Sequence, residues 1–318
     1  MKKVYLAIDT SNYTTSVAAA DEDRNILFNL KKLLPVAHGE RGLRQSDAVF
    51  LHTRAIPELL SQAESILERE QEYSIEAVGY SSAPRDVDGS YMPCFLVGGS
   101  AAQSVSFGAG VPCYSFSHQA GHLMAALYSA NAMRLSEDRF AAFHVSGGTT
   151  ELLLAFPDEE KIISVEKVGG TLDISAGQLI DRLGVKAGFD FPAGKYVDEA
   201  AMRYCGKADR FRVNVKGFYC NLSGAENQAF RILEESNDIY HAAAFVMEFA
   251  AKTLYELSIR IREQYPDIPL LYSGGVMSSQ YIKRKLSPLN GYHASPEYSS
   301  DNAAGCALLT LEKHLKRR

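Results

Sequence analysis

The most constraining feature of the sequence is a strand–turn–strand pattern that occurs twice. Val4–Asp9 is apolar and rich in β-branched residues, and the polar run 10–15 separates it from the small apolar run Ser16–Ala20. The same order returns as the apolar run Phe140–Val145, the turn 146–150 and the apolar run 151–155. Helix-like segments alternate with these strands, which favours an α/β architecture. The repeat predicts two related lobes, residues 1–138 and 139–318, that face each other across a cleft.

Three segments carry apolar residues at helical spacing opposite a charged face, as helices that pack on a core do. These segments are 47–70, 242–264 and 303–316. We expect the last helix, about residues 302–316, to pack back toward the N-terminal lobe, with Asp301 as its N-cap. The stretch 89–98 has no such spacing, and we expect it to be a loop.

The turns have the composition of phosphate-binding loops. Glycines and small hydroxyl residues let backbone N–H groups approach phosphate oxygens. A third glycine turn, Ser273-Gly274-Gly275, follows a buried strand and precedes a predicted helix that begins at Ser279, whose N-terminus would favour an anion. Each turn by itself could be an ordinary tight turn. Their recurrence favours a nucleotide site that includes the residues of the second turn: Ser146, Gly147, Gly148, Thr149 and Thr150.

A histidine pair, His118 and His122, follows Ser117, a good N-cap. If the run is helical, both imidazoles leave one face roughly 6 Å apart along the axis. Two neutral imidazoles at this spacing can bind one transition-metal ion, although such pairs can also be purely structural. The run nearly matches the His-Glu-x-x-His signature of zinc proteases. Gln119 replaces the glutamate, however, and an amide cannot act as a general base, which argues against peptide hydrolysis by this route.

The composition limits the class of protein. An apolar fraction of 46% with 22% charged residues is typical of a globular chain. The five scattered cysteines are expected to be buried, reduced thiols in a cytoplasmic protein. No segment has the length of a signal peptide core or of a membrane helix, so no membrane association is expected. A net charge of −5 argues against a chain that holds nucleic acid without partners.

Six motifs in order make the sequence resemble the TsaD/Gcp family, formerly called O-sialoglycoprotein endopeptidases, of the actin-like ATPase superfamily. They are Ile-Asp-Thr-Ser, the His-x-x-x-His run, Val-Ser-Gly-Gly-Thr-Thr, Gly-Thr-x-Asp-x-x-x-Gly, Ser-Gly-Gly-Val and Asp-Asn-Ala-Ala. The resemblance extends over nearly the whole chain. It implies an α/β, actin-like fold with two duplicated lobes around a nucleotide-binding cleft.

The resemblance also implies which residues form the site. Family members bind one divalent metal ion, iron or zinc, and the matching ligands here are His118, His122 and Asp301. His144 occupies a position that is a tyrosine in some members and can reach the metal, and a histidine is the better ligand. Family members bind an adenylate, and four further residues match positions that contact ribose, base or their surroundings: Asp181, Gly194, Asp198 and Ser279.

The activity implied is that of a tRNA N6-adenosine threonylcarbamoyltransferase. Such an enzyme moves a threonylcarbamoyl group from threonylcarbamoyl-AMP to an adenosine of tRNA, with help from companions like the TsaB and TsaE proteins. ATP is the other adenylate-type ligand that the cleft could take. The family's substrate-phosphate loop corresponds to residues 146–150.

Several family positions are altered in this chain. The acidic residues after Thr-Ser are replaced by Asn12, Tyr13 and Thr14, and the Val-Pro-Glu pattern is absent from residues 42–47. An Asp-Asp pair is reduced to Asp173-Ile174, and a glutamate is replaced by Gln178. Ser279 replaces an asparagine. These changes indicate a divergent paralogue and leave two alternatives open: a nucleotide- and metal-binding assembly protein without turnover, and a phosphotransferase like the acetate or sugar kinases.

Overall fold

The computed structural model describes residues 1–11, 13–35, 43–70, 72–207, 209–299 and 302–317. Strands and helices alternate along the chain. The strands are β1 Lys2–Ser11, β2 Thr14–Asp21, β3 Ile26–Leu33, β4 Tyr73–Ala83, β5 Cys113–Ser117, β6 Phe140–Val145, β7 Thr150–Asp158, β8 Ile162–Thr171, β9 Asn214–Lys216, β10 Tyr219–Asn221, β11 Leu270–Ser273 and β12 Tyr292–His293. The α-helices are α1 Gln45–Leu67, α2 Phe95–Ala109, α3 His118–Ser129, α4 Ala176–Lys186, α5 Gly194–Arg203, α6 Ser223–Ser236, α7 Ile239–Gln264, α8 Gln280–Leu286 and α9 Ala304–Arg317.

The chain forms two compact units. The first unit comprises Met1–Glu137, Phe156–Val165 and Ser300–Arg318, and the second comprises Asp138–Ala155 and Glu166–Ser299. In the first unit, β1 pairs antiparallel with β2 and parallel with β4, and the five strands follow the order β3-β2-β1-β4-β5. Its strands β1 and β2 are buried over almost their whole length, as expected for a sheet covered by helices on both faces.

The second unit is built on a strand arrangement of the same kind. Strand β6 pairs antiparallel with β7 and parallel with β11, and the sheet follows the order β12-β11-β6-β7-β8-β10-β9. Read in reverse, the first five strands of this sheet are β8-β7-β6-β11-β12. They correspond one by one to β3-β2-β1-β4-β5 of the first unit. The two predicted strand–turn–strand patterns are the β1–β2 and β6–β7 hairpins, which pair Ser11 with Thr14 and Val145 with Thr150. The duplication predicted from the sequence is confirmed.

Helix α3 is anchored in the first unit by the C-terminal helix α9. The ideal Cβ position of Gly305 on α9 lies 1.8 Å from the carbonyl oxygen of Gly121 on α3, so the two backbones touch and a side chain there would separate them. Leu123, Ala126 and Leu127 of α3 are buried, as predicted. The close crossing fixes the helix that carries the histidine pair against the helix that follows Asp301 in the chain.

Two expectations were wrong. The stretch 89–98 is not a loop throughout, because α2 begins at Phe95. The backbone N–H of Gly98, in the first turn of α2 and without an intrahelical partner, donates to Thr10 Oγ1 at 3.0 Å. Gly98 and Gly99 disfavour a helix, and this contact with β1 compensates for them. The cysteines, all within the described ranges, form no disulfide, but Cys205 is exposed and Cys113 is half-buried, so the expected burial was wrong for these two. No helix within the described ranges is long and apolar enough to cross a membrane.

Candidate functional site

The turn between β6 and β7 presents free backbone amides. Within it, the Ser146 N–H donates to the Thr149 carbonyl at 2.8 Å, and the Ser146 and Thr149 hydroxyls lie 2.9 Å apart. The Thr149 N–H donates to Ser146 Oγ at 3.2 Å. Gly147 and Gly148 at the tip are exposed, and their N–H groups have no partner among the described residues. The hydroxyl residues thus hold the turn, and the two glycine amides are available to an anion.

Helix α4 is docked onto this turn by its N-terminus. Ser175 caps the helix by accepting from the Gln178 N–H, and the Gln178 side chain accepts from the Ser175 N–H, which completes a capping box. The Ser175 hydroxyl also donates to the Gly147 carbonyl at 2.7 Å. The Ala176 N–H donates to Thr150 Oγ1 at 2.9 Å, so the side chain of Thr150 supports the helix. The positive end of the α4 dipole therefore lies beside the two free amides.

Gly177 allows this close approach. A Cβ atom at Gly177 would lie 2.4 Å from the Ser146 carbonyl oxygen and 2.5 Å from the Gly147 Cα atom. Ordinary Cβ contacts are 3.4–4 Å. Only glycine at this position lets α4 start directly against the turn.

A cavity of about 590 Å³ opens next to the turn within the second unit. This volume lies in the range of sites for small organic ligands. Five of the predicted nucleotide-binding residues line it: Gly147, Asp181, Gly194, Asp198 and Ser279. Apolar side chains, among them Ile180 and Met247, and the Lys195 side chain complete the lining. The other four predicted residues of the turn do not line the cavity: Ser146 and Thr149 shape the turn, Thr150 supports α4, and Gly148 lies at the tip.

The two carboxylates of the cavity are already hydrogen bonded. Asp181 Oδ1 accepts from the Ala193 N–H at 2.8 Å, which holds the segment before α5. Asp198 accepts from the Ser279 hydroxyl at 2.5 Å and from the backbone N–H groups of Gln280 and Tyr281 at 3.0 and 3.2 Å. Asp198 therefore supports the N-terminus of α8 together with Ser279, which caps it. Each carboxylate keeps lone pairs that could accept from a ligand hydroxyl.

The histidine pair lies in the first unit, at the start of α3. Ser117 caps α3 by accepting from the Ala120 N–H, as predicted. The two Nε2 atoms of His118 and His122 are 2.9 Å apart, so both rings point at one location. His118 Nδ1 lies 2.8 Å from Asp9 Oδ2 and donates to it, because an ionised carboxylate can only accept.

Asp9 is the buried partner that orients the histidine. It accepts from the Ser11 N–H at 2.9 Å and from the Ser81 hydroxyl. Burial raises the pKa of the Asp9 carboxyl, but the charge and hydrogen bond of His118 and the bonds from Ser11 and Ser81 outweigh it and hold that pKa below its ordinary value. A carboxylate behind the distal ring nitrogen is the usual support of a metal-binding histidine.

The nitrogen pair fits two ligands of a metal ion. Nitrogens bound to one tetrahedral zinc are separated by roughly 3.3 Å, close to the spacing of the two Nε2 atoms. Across the described ranges, no three histidine, cysteine or acidic side chains form a group that could hold a metal ion. Asp301 lies outside the described residues. His144 belongs to β6 of the second unit, where its Nδ1 atom is 3.4 Å from Ser273 Oγ.

Asp173, the remaining member of the altered acidic pair, has a structural role in the second unit. Its carboxylate accepts from the backbone N–H groups of Leu222 and Ser223 at 2.8 and 3.1 Å and from the Ser223 hydroxyl at 2.6 Å. Burial raises the pKa of Asp173, but these hydrogen bonds outweigh it and lower the pKa to about 2. Asp173 thus ties the end of β8 to the start of α6.

Sequence reasoning missed Asp9, Gly177 and Lys195. Asp9 lies 109 residues before His118, and only a tertiary contact pairs them. One signal was available: a carboxylate inside an apolar strand must find a partner when it is buried. Gly177 was recognised only as part of a motif, and its contact with the turn depends on how the helix docks.

Comparison with known proteins identifies relatives over most of the chain. A family model described as TsaD, tRNA N6-adenosine threonylcarbamoyltransferase, matches residues 45–308. The tRNA N6-adenosine threonylcarbamoyltransferase of Streptococcus suis (strain 05ZYH33) is 30% identical over 303 residues, covering 90% of this chain and 83% of that protein. The protein of the same name from Methanopyrus kandleri is 25% identical over 317 residues, covering 98% and 88%.

Among solved structures, the chain is similar to the Acidaminococcus fermentans (R)-2-hydroxyglutaryl-CoA dehydratase component A. The TM-score is 0.51 at 14% identity, and the match covers 99% of each chain. At this identity the similarity concerns the fold alone. This similarity and the repeated strand order of the two sheets together confirm the predicted α/β, actin-like ATPase fold.

Proposed function

Because the chain belongs to the TsaD family of tRNA N6-adenosine threonylcarbamoyltransferases and is an enzyme of the transferase class, we propose that it transfers a threonylcarbamoyl group from threonylcarbamoyl-AMP to an adenosine of tRNA. The proposal includes companion proteins like TsaB and TsaE, because a chain with a net charge of −5 has little electrostatic attraction for RNA. In this proposal the transfer to tRNA takes place in the cytoplasm.

One observation carries the proposal: the cavity of the second unit has space for a nucleoside and adjoins the turn whose two exposed glycine amides are available to an anion. Gly147 stands at the junction of the two. In our proposal the amides of Gly147 and Gly148 bind the phosphate of the adenylate, assisted by the α4 dipole. The ribose and base occupy the cavity, where Asp181 and Asp198 accept hydrogen bonds from sugar hydroxyls and Met247 and Ile180 contact the base.

The proposed reaction forms one bond and breaks one. The exocyclic amine nitrogen of the acceptor adenosine bonds to the carbamoyl carbon, and the bond from that carbon to the phosphate oxygen breaks. The bond's electron pair leaves with AMP, and the amine loses one proton to solvent. The turn amides stabilise the negative charge that grows on the leaving phosphate. Because both reactants are bound in fixed positions, the reaction avoids the entropic cost of bringing them together from solution.

In our proposal His118 and His122 bind one divalent metal ion, iron or zinc, with Asp301 of the same unit as a further ligand. The converging Nε2 atoms and the Asp9 carboxylate behind His118 support this assignment. When bound, such an ion would supply Lewis-acid polarisation and orientation of the carbamoyl group. Asp9 fixes the ring of His118 so that Nε2 keeps its lone pair for a ligand.

A second candidate is an assembly protein of the same fold that binds the adenylate without turnover. The replacements Ile174 and Gln178 favour it, because they remove acidic groups next to the turn. The Gln178 side-chain oxygen is used in the capping box and cannot act as a base. Nothing comparable favours the kinase alternative, in which the histidine pair would have no use.

Complementation separates the two candidates. The gene is expressed in a strain depleted of its own threonylcarbamoyltransferase, with the companion proteins present. Growth and restored threonylcarbamoyladenosine in total tRNA are expected for the transferase. Folded protein that binds AMP but restores neither result would favour the assembly protein and refute the transferase.

A further inference from the structure

A second cavity adjoins the proposed nucleotide cavity within the same unit. It lies between helices α4 and α6 and has a volume of about 570 Å³. It shares three lining residues with the first cavity, Gly147, Asp181 and Phe191. We call it the α4–α6 groove, and the residues that line it alone are Gln178, Arg182, Val185, Lys186, Glu226 and Phe230.

The walls of the groove are aromatic and apolar yet open to solvent. Phe191 is 75% exposed and Val185 is 51% exposed, so the groove presents apolar surface to solvent. The Phe230 ring is half-buried, and the Lys186 ammonium lies 4.6 Å from its centroid. Such surfaces match the flat face of an aromatic ligand.

The charged side chains at the rim are paired with each other. Arg182 contacts Glu226 at 2.9 Å, and Lys186 contacts Glu234 at 2.5 Å. The rim is therefore close to neutral, which does not favour a phosphate or a strongly charged peptide. It does offer hydrogen-bonding groups: the Gln178 amide nitrogen has no partner among the described residues, and the Asp181 carboxylate can accept.

Given the proposed function, on which this step rests, we infer that the α4–α6 groove holds the acceptor nucleobase of the RNA. A transferase needs its acceptor beside its donor, and the two cavities meet at Gly147, where the donor phosphate would lie. Phe230 stacks on the base, which displaces the Lys186 ammonium from the face of the ring, and the Gln178 amide contacts the polar edge of the base. Proteins recognise single RNA bases by this combination of aromatic stacking and hydrogen bonds to the base edge.

The test compares two RNA probes on three proteins. The probes are an anticodon stem-loop with adenosine at the acceptor position and the same stem-loop with an abasic nucleotide there. The proteins are the wild type, Phe230→Leu, which keeps an apolar side chain but removes the ring, and Phe107→Leu as the control. Phe107 is 90% exposed on α2 of the first unit and contributes to neither cavity. Fluorescence anisotropy measures RNA affinity, and calorimetry measures AMP affinity.

The wild type and Phe107→Leu are expected to prefer the adenosine probe by on the order of ten-fold, which is the effect of one stacked base. Phe230→Leu should lose this preference, bind the abasic probe like the wild type, and keep its AMP affinity. A Phe230→Tyr variant should restore the preference. If Phe230→Leu keeps the preference, or if the wild type shows none, the inference is overturned.

A parallel transfer assay separates this inference from the proposed function. If the wild type transfers the group and Phe230→Leu does so equally well, the groove does not hold the acceptor base, and the proposed function is unaffected. A Phe230-dependent preference for adenosine in a protein that transfers nothing would refute the transferase and leave the groove as an RNA site.

Discussion

Replacing Gly177 by alanine tests the contact between α4 and the turn 146–150, which we propose binds the phosphate. The added Cβ would lie 2.4 Å from the Ser146 carbonyl oxygen and 2.5 and 2.7 Å from the Gly147 Cα and N atoms. These neighbours are backbone atoms and cannot rotate away as a side-chain end can. To reach ordinary contact at 3.4 Å or more, the turn and the helix must separate by about 1 Å. The Gly147 amide would then leave its position beside the helix N-terminus.

The structure indicates a small effect on stability and a large one on binding. Alanine gains about 1 kcal/mol over glycine in a helix, whereas overpacking costs about 1–3 kcal/mol, so a net destabilisation of about 1 kcal/mol is expected. Hydrogen bonds to a charged group contribute about 1.5–3 kcal/mol each. Loss of one turn amide should therefore weaken AMP binding by roughly ten- to hundred-fold.

Gly224→Ala is the matched control. Gly224 is the second residue of α6, as Gly177 is of α4, and a Cβ at Gly224 meets no atom within 4 Å. Titration calorimetry with AMP and urea unfolding are measured on both variants. Gly224→Ala should bind AMP like the wild type and be equally or slightly more stable. Equal AMP affinity in the two variants would show that the turn does not bind the phosphate as we propose.

Three further predictions concern individual side chains. Ser175→Ala removes the cap of α4 and the bond to Gly147, and should cost about 1 kcal/mol of unfolding free energy and weaken AMP binding several-fold; an unchanged urea midpoint would contradict this. Asp173→Asn should be less stable than the wild type at pH 7 by at most about 1 kcal/mol, because the carboxylate is largely exposed and screened. Since the folded pKa of about 2 lies below the reference value of 3.8, this difference should shrink as the pH falls from 4 toward 2, and a constant difference would refute it. His118→Ala should bind at least ten-fold less iron or zinc than the wild type by elemental analysis, and equal metal content would remove His118 from the site.

The elements that the sequence predicted correctly depend on local patterns. The cap of α3 by Ser117 follows from a short polar side chain placed before a helical run, and the helix predicted from Ser279 is α8, which begins one residue later. The two hairpins follow from apolar runs interrupted by small hydroxyl residues and glycine. In each case the decisive interaction spans only a few residues, so the sequence contains all of it.

The features that were missed depend on contacts between distant segments. Asp198 was interpreted as a ligand contact, and its hydrogen bonds to the start of α8 arise only after α5 and α8 pack together. The early start of α2 depends on Thr10 in β1, which satisfies an N–H group of the helix. The α4–α6 groove has no motif of its own, because its lining is contributed by residues separated by up to about 80 positions.

The most direct test of the central claim is nucleoside analysis of tRNA after reaction with the purified protein. Unmodified tRNA is incubated with threonylcarbamoyl-AMP, the companion proteins and the metal-loaded protein, and is then digested and examined by mass spectrometry. Threonylcarbamoyladenosine and released AMP are expected in equal amounts, with formation of both reduced in Gly177→Ala and normal in Gly224→Ala. Protein that binds both AMP and tRNA but forms no modified nucleoside would contradict the central claim.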